Sequence, residues 1–143
     1  MGANFSNRPN LPLGMRNNNP GNIRPVKGSL WVGQVGVNKN FVVFNDIVYG
    51  IRAIMKNALT QIQKNGKNTV AKYVSAYAPP SENNTAKYIN AVKNALGLAA
   101  NDKIPTDYKT LHKLVRTHLI LEVGNSNSDL ITDGDISEAY LKL

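Results

Sequence analysis

With 143 residues, 42% of them hydrophobic and 18% charged, the chain has the size and composition of one globular domain and not of a disordered segment. The absence of cysteine excludes disulfide bonds, zinc sites built on thiolates and cysteine nucleophiles. Seventeen Lys and Arg residues against nine Asp and Glu residues give a net charge of +8, which favours binding to an anionic polymer. The basic residues are dispersed and no nucleic-acid-binding motif accompanies them, so we do not expect nucleic acid to be the partner.

The beginning of the chain carries no targeting or membrane signal. Residues 1–15 are rich in Asn and Pro without periodicity, which predicts a flexible N-terminal arm ahead of one domain over residues 16–143. No apolar run approaches the roughly 20 residues of a membrane-spanning helix. The N-terminus also lacks the apolar core of a secretory signal, so we expect no signal peptide.

A small β or loop region is predicted near residues 30–44. Residues 30–32, 34–37 and 41–44 have β-type composition, and the last of these combines β-branched with aromatic side chains. We expect it to pair with one of the other two across the turn residues Asn38, Lys39 and Asn40.

The rest of the chain shows helical patterns, with capping residues at the expected starts and glycines or prolines at the expected ends. The predicted caps are, in chain order, Asn45 or Asp46, Thr69, Asn84 or Thr85, Thr106, and Asp135 in a capping box with Glu138. The helix capped by Thr106 should run from Asp107 to about Val123 and end at Gly124. The predicted class is therefore α+β, predominantly helical.

Several short motifs follow one another in a fixed order. They are the nine residues 16–24 (RNNNPGNIR), W-x-G at 31–33, F-x-x-F at 41–44, G-I-R-A at 50–53, and A-P-P-x-E-N-x-T-x-x-Y-I at 78–89. In this order the chain resembles a family of phage and prophage proteins that carry the RNNNPGNIR signature and are described as virion-associated or lysozyme-like. The resemblance implies a single lysozyme-like domain that engages bacterial cell-wall glycan.

A looser similarity connects the same motif order to flagellar-type glucosaminidases of the lysozyme-like superfamily. Those enzymes place their catalytic Glu upstream of the N-N-x-x-G-I motif, where this chain has no acidic residue. The acid would therefore have to come from a later part of the chain, as in a circularly permuted enzyme.

Cleavage of a glycan requires a carboxylic acid whose pKa is raised enough to protonate the glycosidic oxygen. The superfamily resemblance implies that a lytic transglycosylase can work with one such Glu, assisted by the acetamido group of the substrate. Glu122 is the first candidate, because it ends the apolar face of a predicted helix just before Gly124; alternatively it is solvated there or pairs with Arg116 or His118. Glu82 is the second, although a loop Glu ahead of a helix can also simply hold the turn.

Candidate substrate-binding residues lie in the same motifs. Asn18, Asn19 and Asn22 could bind sugar hydroxyl or N-acetyl groups, or they could hold a tight loop through their side-chain amides. Trp31 could stack on a sugar, and Tyr49 and Tyr77 could line a saccharide groove; packing in the core is the alternative for each. His112 and His118 are too few and wrongly spaced for a metal site, and no cofactor is expected.

The sequence favours an enzyme: a phage protein that degrades peptidoglycan, of the lytic transglycosylase or muramidase type. The alternative is a non-catalytic virion structural protein or peptidoglycan-binding module with a lysozyme-like fold. The expected partners are peptidoglycan glycan strands and other phage virion proteins. The expected location is the virion, or the host cytoplasm or periplasm during infection.

Overall fold

A computed structural model describes residues 2–81 and 84–143 of the chain. Its regular elements are α1 (Leu13–Arg16), β1 (Gln34–Asn38), β2 (Phe41–Phe44), α2 (Ile47–Gln63), α3 (Val70–Tyr77), α4 (Thr85–Leu96), α5 (Tyr108–Val123), α6 (Asn125–Ser128) and α7 (Asp133–Leu141). The α+β class with dominant helices is confirmed, and the small β region lies where it was predicted. This content is compatible with a small lysozyme-like domain.

The backbone divides into two compact units. Unit 1 comprises residues 1–56 and 118–143, and unit 2 comprises residues 57–117. Helices α2 and α5 each contribute residues to both units. The hairpin, α1, α6 and α7 belong to unit 1, whereas α3 and α4 belong to unit 2.

The hairpin of unit 1 forms across the predicted turn. Strands β1 and β2 pair antiparallel, with Asn38 opposite Phe41, so that Lys39 and Asn40 are the two turn residues. Both have positive φ angles, 51° and 68°, as the tight hairpin turns of the mirror-image type require. Val42 and Phe44 of β2 are buried, whereas Val35 and Val37 of β1 are exposed.

The first residues of unit 1 are held in place by specific contacts. Phe5 and Leu11 are buried, at 4% and 7% exposure, and Met15 is completely buried. The backbone N–H of Ile47 donates to the carbonyl of Ala3 at 2.9 Å. The structure therefore differs from the flexible arm expected over residues 1–15, because the apolar side chains among its Asn and Pro residues are numerous enough to anchor it.

Most helix starts agree with the predicted caps. The side chains of Thr69 and Asn84 accept hydrogen bonds from the backbone two or three residues into α3 and α4, and Asp46 accepts from Val48 N at the start of α2. Gly97 ends α4 in the left-handed conformation. These ends are set by local chemistry and could be found from sequence spacing alone.

Two predicted caps were wrong by one or three residues. Asp107, and not Thr106, caps α5, since its carboxylate accepts from Thr110 N at 3.4 Å and from the Thr110 hydroxyl at 2.6 Å. The capping box of α7 is formed by Thr132 and Asp135, not by Asp135 and Glu138. In both cases neighbouring residues offer suitable oxygens, and the position of the helix start decides between them.

Unit 2 has a core of its own. Its buried residues come from α2, α3, α4, α5 and the segment before α5, namely Ala58, Ile62, Val70, Tyr73, Val74, Val92, Ile104 and Leu114. The chain before α3 and the chain before α5 run side by side, with hydrogen bonds from Val70 N to Asp102 O and from Ile104 N to Asn68 O. In the described residues, no helix has the length and apolar character needed to cross a membrane.

Candidate functional site

The asparagine motif of unit 1 closes the open edge of β2. Asn19 is fully buried, and its Nδ2 donates to the carbonyls of Val42 and Ile23, both at 2.9 Å, while its Oδ1 accepts from Ile23 N at 2.8 Å. The backbone adds bonds from Val42 N to Ile23 O and from Phe44 N to Asn17 O. The loop thus satisfies the polar groups on the side of β2 that β1 does not reach, which a buried strand edge requires.

Asn18 ties the same loop to the N-terminal segment. Its Oδ1 accepts from Phe5 N at 2.9 Å, and its Nδ2 donates to Phe44 O at 3.0 Å and to Asn4 Oδ1 at 3.1 Å. Its φ of 52° is left-handed, a conformation that Asn tolerates better than most residues. Asn18 and Asn19 were candidates either for binding substrate or for holding a tight loop through their side-chain amides. In the structure both amides are bonded within the protein, and these bonds hold the loop.

Three glycines bring the separate sequence motifs of unit 1 into contact. A Cβ at Gly50 of α2 would collide with the carbonyl oxygen of Asn18, and a Cβ at Gly33 would collide with the ring of Tyr49. A Cβ at Gly21 would lie 2.6 Å from Ile54 Cγ1. Together with the asparagine bonds to β2, these contacts pack the segments 16–24, 31–33, 41–44 and 50–53 into one structure.

Glu122 and Asn22 meet in this unit. Glu122 lies one residue before the end of α5 and is half-buried, and its Oε2 accepts from Asn22 Nδ2 at 3.4 Å. Asn22 also has a left-handed φ, 50°, as Asn18 does. A carboxylate and a side-chain amide that are 100 residues apart in sequence are thus placed together.

Of the two aromatic candidates in unit 1, Trp31 lines a surface groove and Tyr49 is not part of its lining. Trp31 is half-buried, its indole N–H donates to Arg24 O at 3.3 Å, and with Tyr49 it packs against the buried residues of β2. A groove of about 260 Å³ is lined by Val26, Ser29, Leu30, Trp31, Val32, Arg52 and Lys56. Trp31 therefore both packs against the core and lines the groove. Tyr49 lies against Gly33, and the Lys142 ammonium is 5.6 Å from the centre of its ring.

The remaining candidates are not placed in unit 1. Tyr77 belongs to unit 2, where its ring lies between those of Tyr73 and Tyr88, with centroid distances of 6.5 and 6.4 Å. Tyr77 and Tyr73 line a narrow cavity of about 60 Å³ together with Asn57, Gln61 and Ala76. Glu82 lies outside the described residues.

His118, one helical turn before Glu122 on α5, is 5% exposed. Burial lowers the pKa of His118 to about 4, because the charged imidazolium loses its hydration in the interior. The His118 imidazole is therefore neutral at neutral pH and places no positive charge near Glu122. Among the residues that the structure describes, no group of three His, Asp or Glu side chains could hold a metal ion.

The sequence motifs did not reveal how the charge divides between the units. Unit 2 has nine Lys and Arg residues and three Asp and Glu residues, a net charge of +6, whereas unit 1 has eight and six, a net charge of +2. Unit 2 also has a shallow groove of about 370 Å³ lined by Lys67, Ala71, Lys72, Ser75 and Ala76. Dispersed lysines give no motif, so only the division of the chain into units could show this.

Comparison with known proteins gives one informative similarity, and no protein-family model matches the chain. Over 95 residues the chain is 36% identical to Protein P5 of Pseudoalteromonas phage PM2, an alignment that covers 64% of this chain and 59% of the phage protein. The chain therefore spans about three fifths of the length of this relative. The similarity supports the expectation that this is a bacteriophage protein.

Proposed function

We propose that the protein degrades peptidoglycan as a phage enzyme of the lytic transglycosylase or muramidase type, with Glu122 as the acid. The observation that carries the proposal is the contact between Glu122 and Asn22 in unit 1. It brings together the helix-end Glu and the RNNNPGNIR loop, the two places where the sequence analysis put its first candidate acid and its candidate substrate-binding asparagines. The similarity to a phage protein supports the biological setting.

The geometry suits Glu122 as the acid and Asn22 as the residue that positions it. Asn22 Nδ2 donates to one carboxylate oxygen of Glu122 at 3.4 Å, which helps to orient the carboxyl, and Glu122 as a residue is half-buried. Asn22 itself belongs to a loop in which the side chains of Asn18 and Asn19 are bonded to the backbone of β2. A catalytic group positioned by a rigid loop retains its orientation when a substrate binds.

In a transglycosylase reaction the Glu122 carboxyl gives its proton to the glycosidic oxygen, and the bond from that oxygen to the sugar C1 breaks. The 6-hydroxyl of the same sugar then forms a bond to C1, and its proton returns to the Glu122 carboxylate. The product is an anhydro sugar, and no second carboxylate is required. In a muramidase reaction a water molecule takes the place of the 6-hydroxyl.

The test is digestion of purified peptidoglycan sacculi, with soluble fragments identified by mass spectrometry. We expect the wild type to release muropeptides and the Glu122→Gln variant to be slower by about 100-fold or more, since Gln retains the shape and the bond from Asn22 but has no proton to transfer. The Asp129→Asn variant is the matched control, because it removes an exposed carboxylate from the same unit. Loss of activity in Glu82→Gln with full activity in Glu122→Gln would assign the acid to Glu82 instead.

The alternative is a non-catalytic virion component, and one observation favours it. The segment before and within β1 exposes five large apolar side chains, of Val26, Leu30, Val32, Val35 and Val37, at 51–76% exposure. Exposed apolar clusters are typical of surfaces that bind other proteins. Failure of the wild type to release any fragment, with binding to sacculi retained, would support this alternative over the enzyme.

A further inference from the structure

The positive charge of the protein is concentrated in unit 2, which does not contain the proposed acid. The two described acidic residues of unit 2 are used locally. Asp102 accepts from Ala99 N at 2.8 Å, and Asp107 caps α5, where the hydrogen bond from Thr110 lowers the pKa of its carboxyl. Both carboxylates therefore stabilise turns, and the exposed lysines of this unit dominate its electrostatic field.

The groove of about 370 Å³ gives this charge a binding site. Lys67 lies before α3 and Lys72 in its first turn, and both are exposed. Ser75, one turn further along, adds a hydroxyl to the same groove. Ala71 and Ala76 complete its lining. Two lysines and a serine that line one groove supply the cationic and hydroxyl donors that an oxyanion requires.

We propose that unit 2 is the polymer-binding part of the protein, and that the groove of Lys67, Lys72 and Ser75 holds oxyanion groups carried by cell-wall polymer. These groups are the carboxylates of peptidoglycan stem peptides or the phosphates of polymers attached to the wall. That the polymer is cell wall rests on the proposed function; the division between a binding unit and a cleaving unit does not. The groove keeps the protein on its polymer through charge, while Glu122 and Asn22 of unit 1 act on the glycan.

Binding is measured with the full chain carrying Glu122→Gln, so that cleavage does not release bound material. The test variant is Lys67→Gln with Lys72→Gln, and the matched control is Arg8→Gln with Lys27→Gln, which removes two exposed charges from unit 1. We expect the test variant to bind sacculi about ten-fold more weakly than the control, and the difference to shrink at high salt, because exposed charges are then screened. Equal binding by the two variants would show that only the net charge matters and would overturn the groove assignment.

Treated sacculi identify the source of the oxyanion. If carboxylates are the ligand, amidation of the stem peptides abolishes the difference between the two variants; if phosphates are, removal of phosphate polymers by acid does so. Double-stranded DNA is the third probe, and a test variant that loses DNA binding but not sacculus binding would contradict a cell-wall ligand. Because binding is read without cleavage, an inactive wild type would refute the proposed enzyme and leave this inference standing.

Discussion

The three consecutive asparagines of the RNNNPGNIR loop differ in their hydrogen bonds, and this predicts a graded effect on stability. Asn17, Asn18 and Asn19 are almost equally buried, at 3%, 1% and 0% exposure, so that truncation to Ala removes the same atoms from similar surroundings in each case. The difference between the Asn17→Ala and Asn19→Ala variants therefore reports the hydrogen bonds rather than the packing, whereas Asn18→Ala adds the strain of its left-handed φ.

The cost of Asn19→Ala can be estimated from its partners. Val42 C=O and Ile23 N–H would lose the bonds that Asn19 provides, whereas Ile23 C=O would keep its bond from Val42 N. Two polar groups without partners, at about 1–3 kcal/mol each, lower the free energy of unfolding by about 2–6 kcal/mol. Asn18→Ala should cost at least as much, because Phe5 N–H and Phe44 C=O lose their bonds from it and because Ala tolerates the left-handed φ of 52° less well than Asn does.

Asn17→Ala is the matched control. The Asn17 Nδ2 is buried without a partner among the described residues, and its Oδ1 accepts only from the exposed side chain of Asn38 in the recorded bonds. We expect this substitution to cost about 1 kcal/mol or less, since it also removes a buried donor that makes no bond. A buried polar group of this kind is worth little to the native state.

The measurement is urea denaturation followed by fluorescence of Trp31, the single tryptophan, which lies in unit 1 and so reports on the unit that contains the loop. Far-UV circular dichroism under native conditions checks that each variant folds. If Asn19→Ala and Asn17→Ala unfolded at the same urea concentration with the same slope, the hydrogen-bond account of this loop would be refuted.

Three further substitutions test other parts of the fold. Gly50→Ala would raise the free energy of unfolding by about 1 kcal/mol through helix propensity alone, but the collision with the Asn18 carbonyl should outweigh this gain and lower it by about 2 kcal/mol overall. Gly36→Ala is the control, because the space around its Cβ position is open, and it should change the free energy of unfolding by less than about 0.5 kcal/mol. The pKa of His118 is about 4 in the native state and about 6.5 in the unfolded state, so between pH 6.5 and pH 4 only the unfolded state binds a proton at this residue. The free energy of unfolding should therefore fall by about 3 kcal/mol as the pH drops from about 6.5 to about 4. His118→Gln should remove this pH dependence, and His112→Gln should not. Thr132→Ala should cost about 1 kcal/mol in thermal or urea unfolding, through loss of the α7 capping box, and no change would argue against that cap.

The parts of the structure that the sequence predicted correctly are those that depend on residues close together in the chain. The turn at Lys39 and Asn40 and the caps at Thr69 and Asn84 each need only a few neighbouring residues. The sequence was less successful with α7, where Thr132 and Asp135 both have capping side chains and the packing of the helix selects between them. The short helices α1 and α6 have no periodic pattern and were not predicted.

The candidate site depends on contacts between distant parts of the chain. The bond between Asn22 and Glu122 spans 100 residues, and that between Asn18 and Phe44 spans 26. The sequence indicated Glu122 and the asparagines as candidates, but it could not show which side-chain amides would form hydrogen bonds with the backbone. That answer requires the position of β2, whose edge carbonyls take up the amides of Asn18 and Asn19.

The use of the loop residues also bears on what the motif resemblance can establish. Asn18 and Asn19, Gly21 and Gly50 are each required for the packing of the loop against β2 and α2, whatever the protein does. Their presence is therefore accounted for by packing and does not, by itself, argue for a reaction. Asn22 differs from them, because its recorded side-chain bond goes to Glu122 and not to the backbone of the loop. A substitution at Asn22 that leaves stability unchanged and lowers glycan cleavage would thus separate function from fold, which no substitution at Asn18 or Asn19 could do.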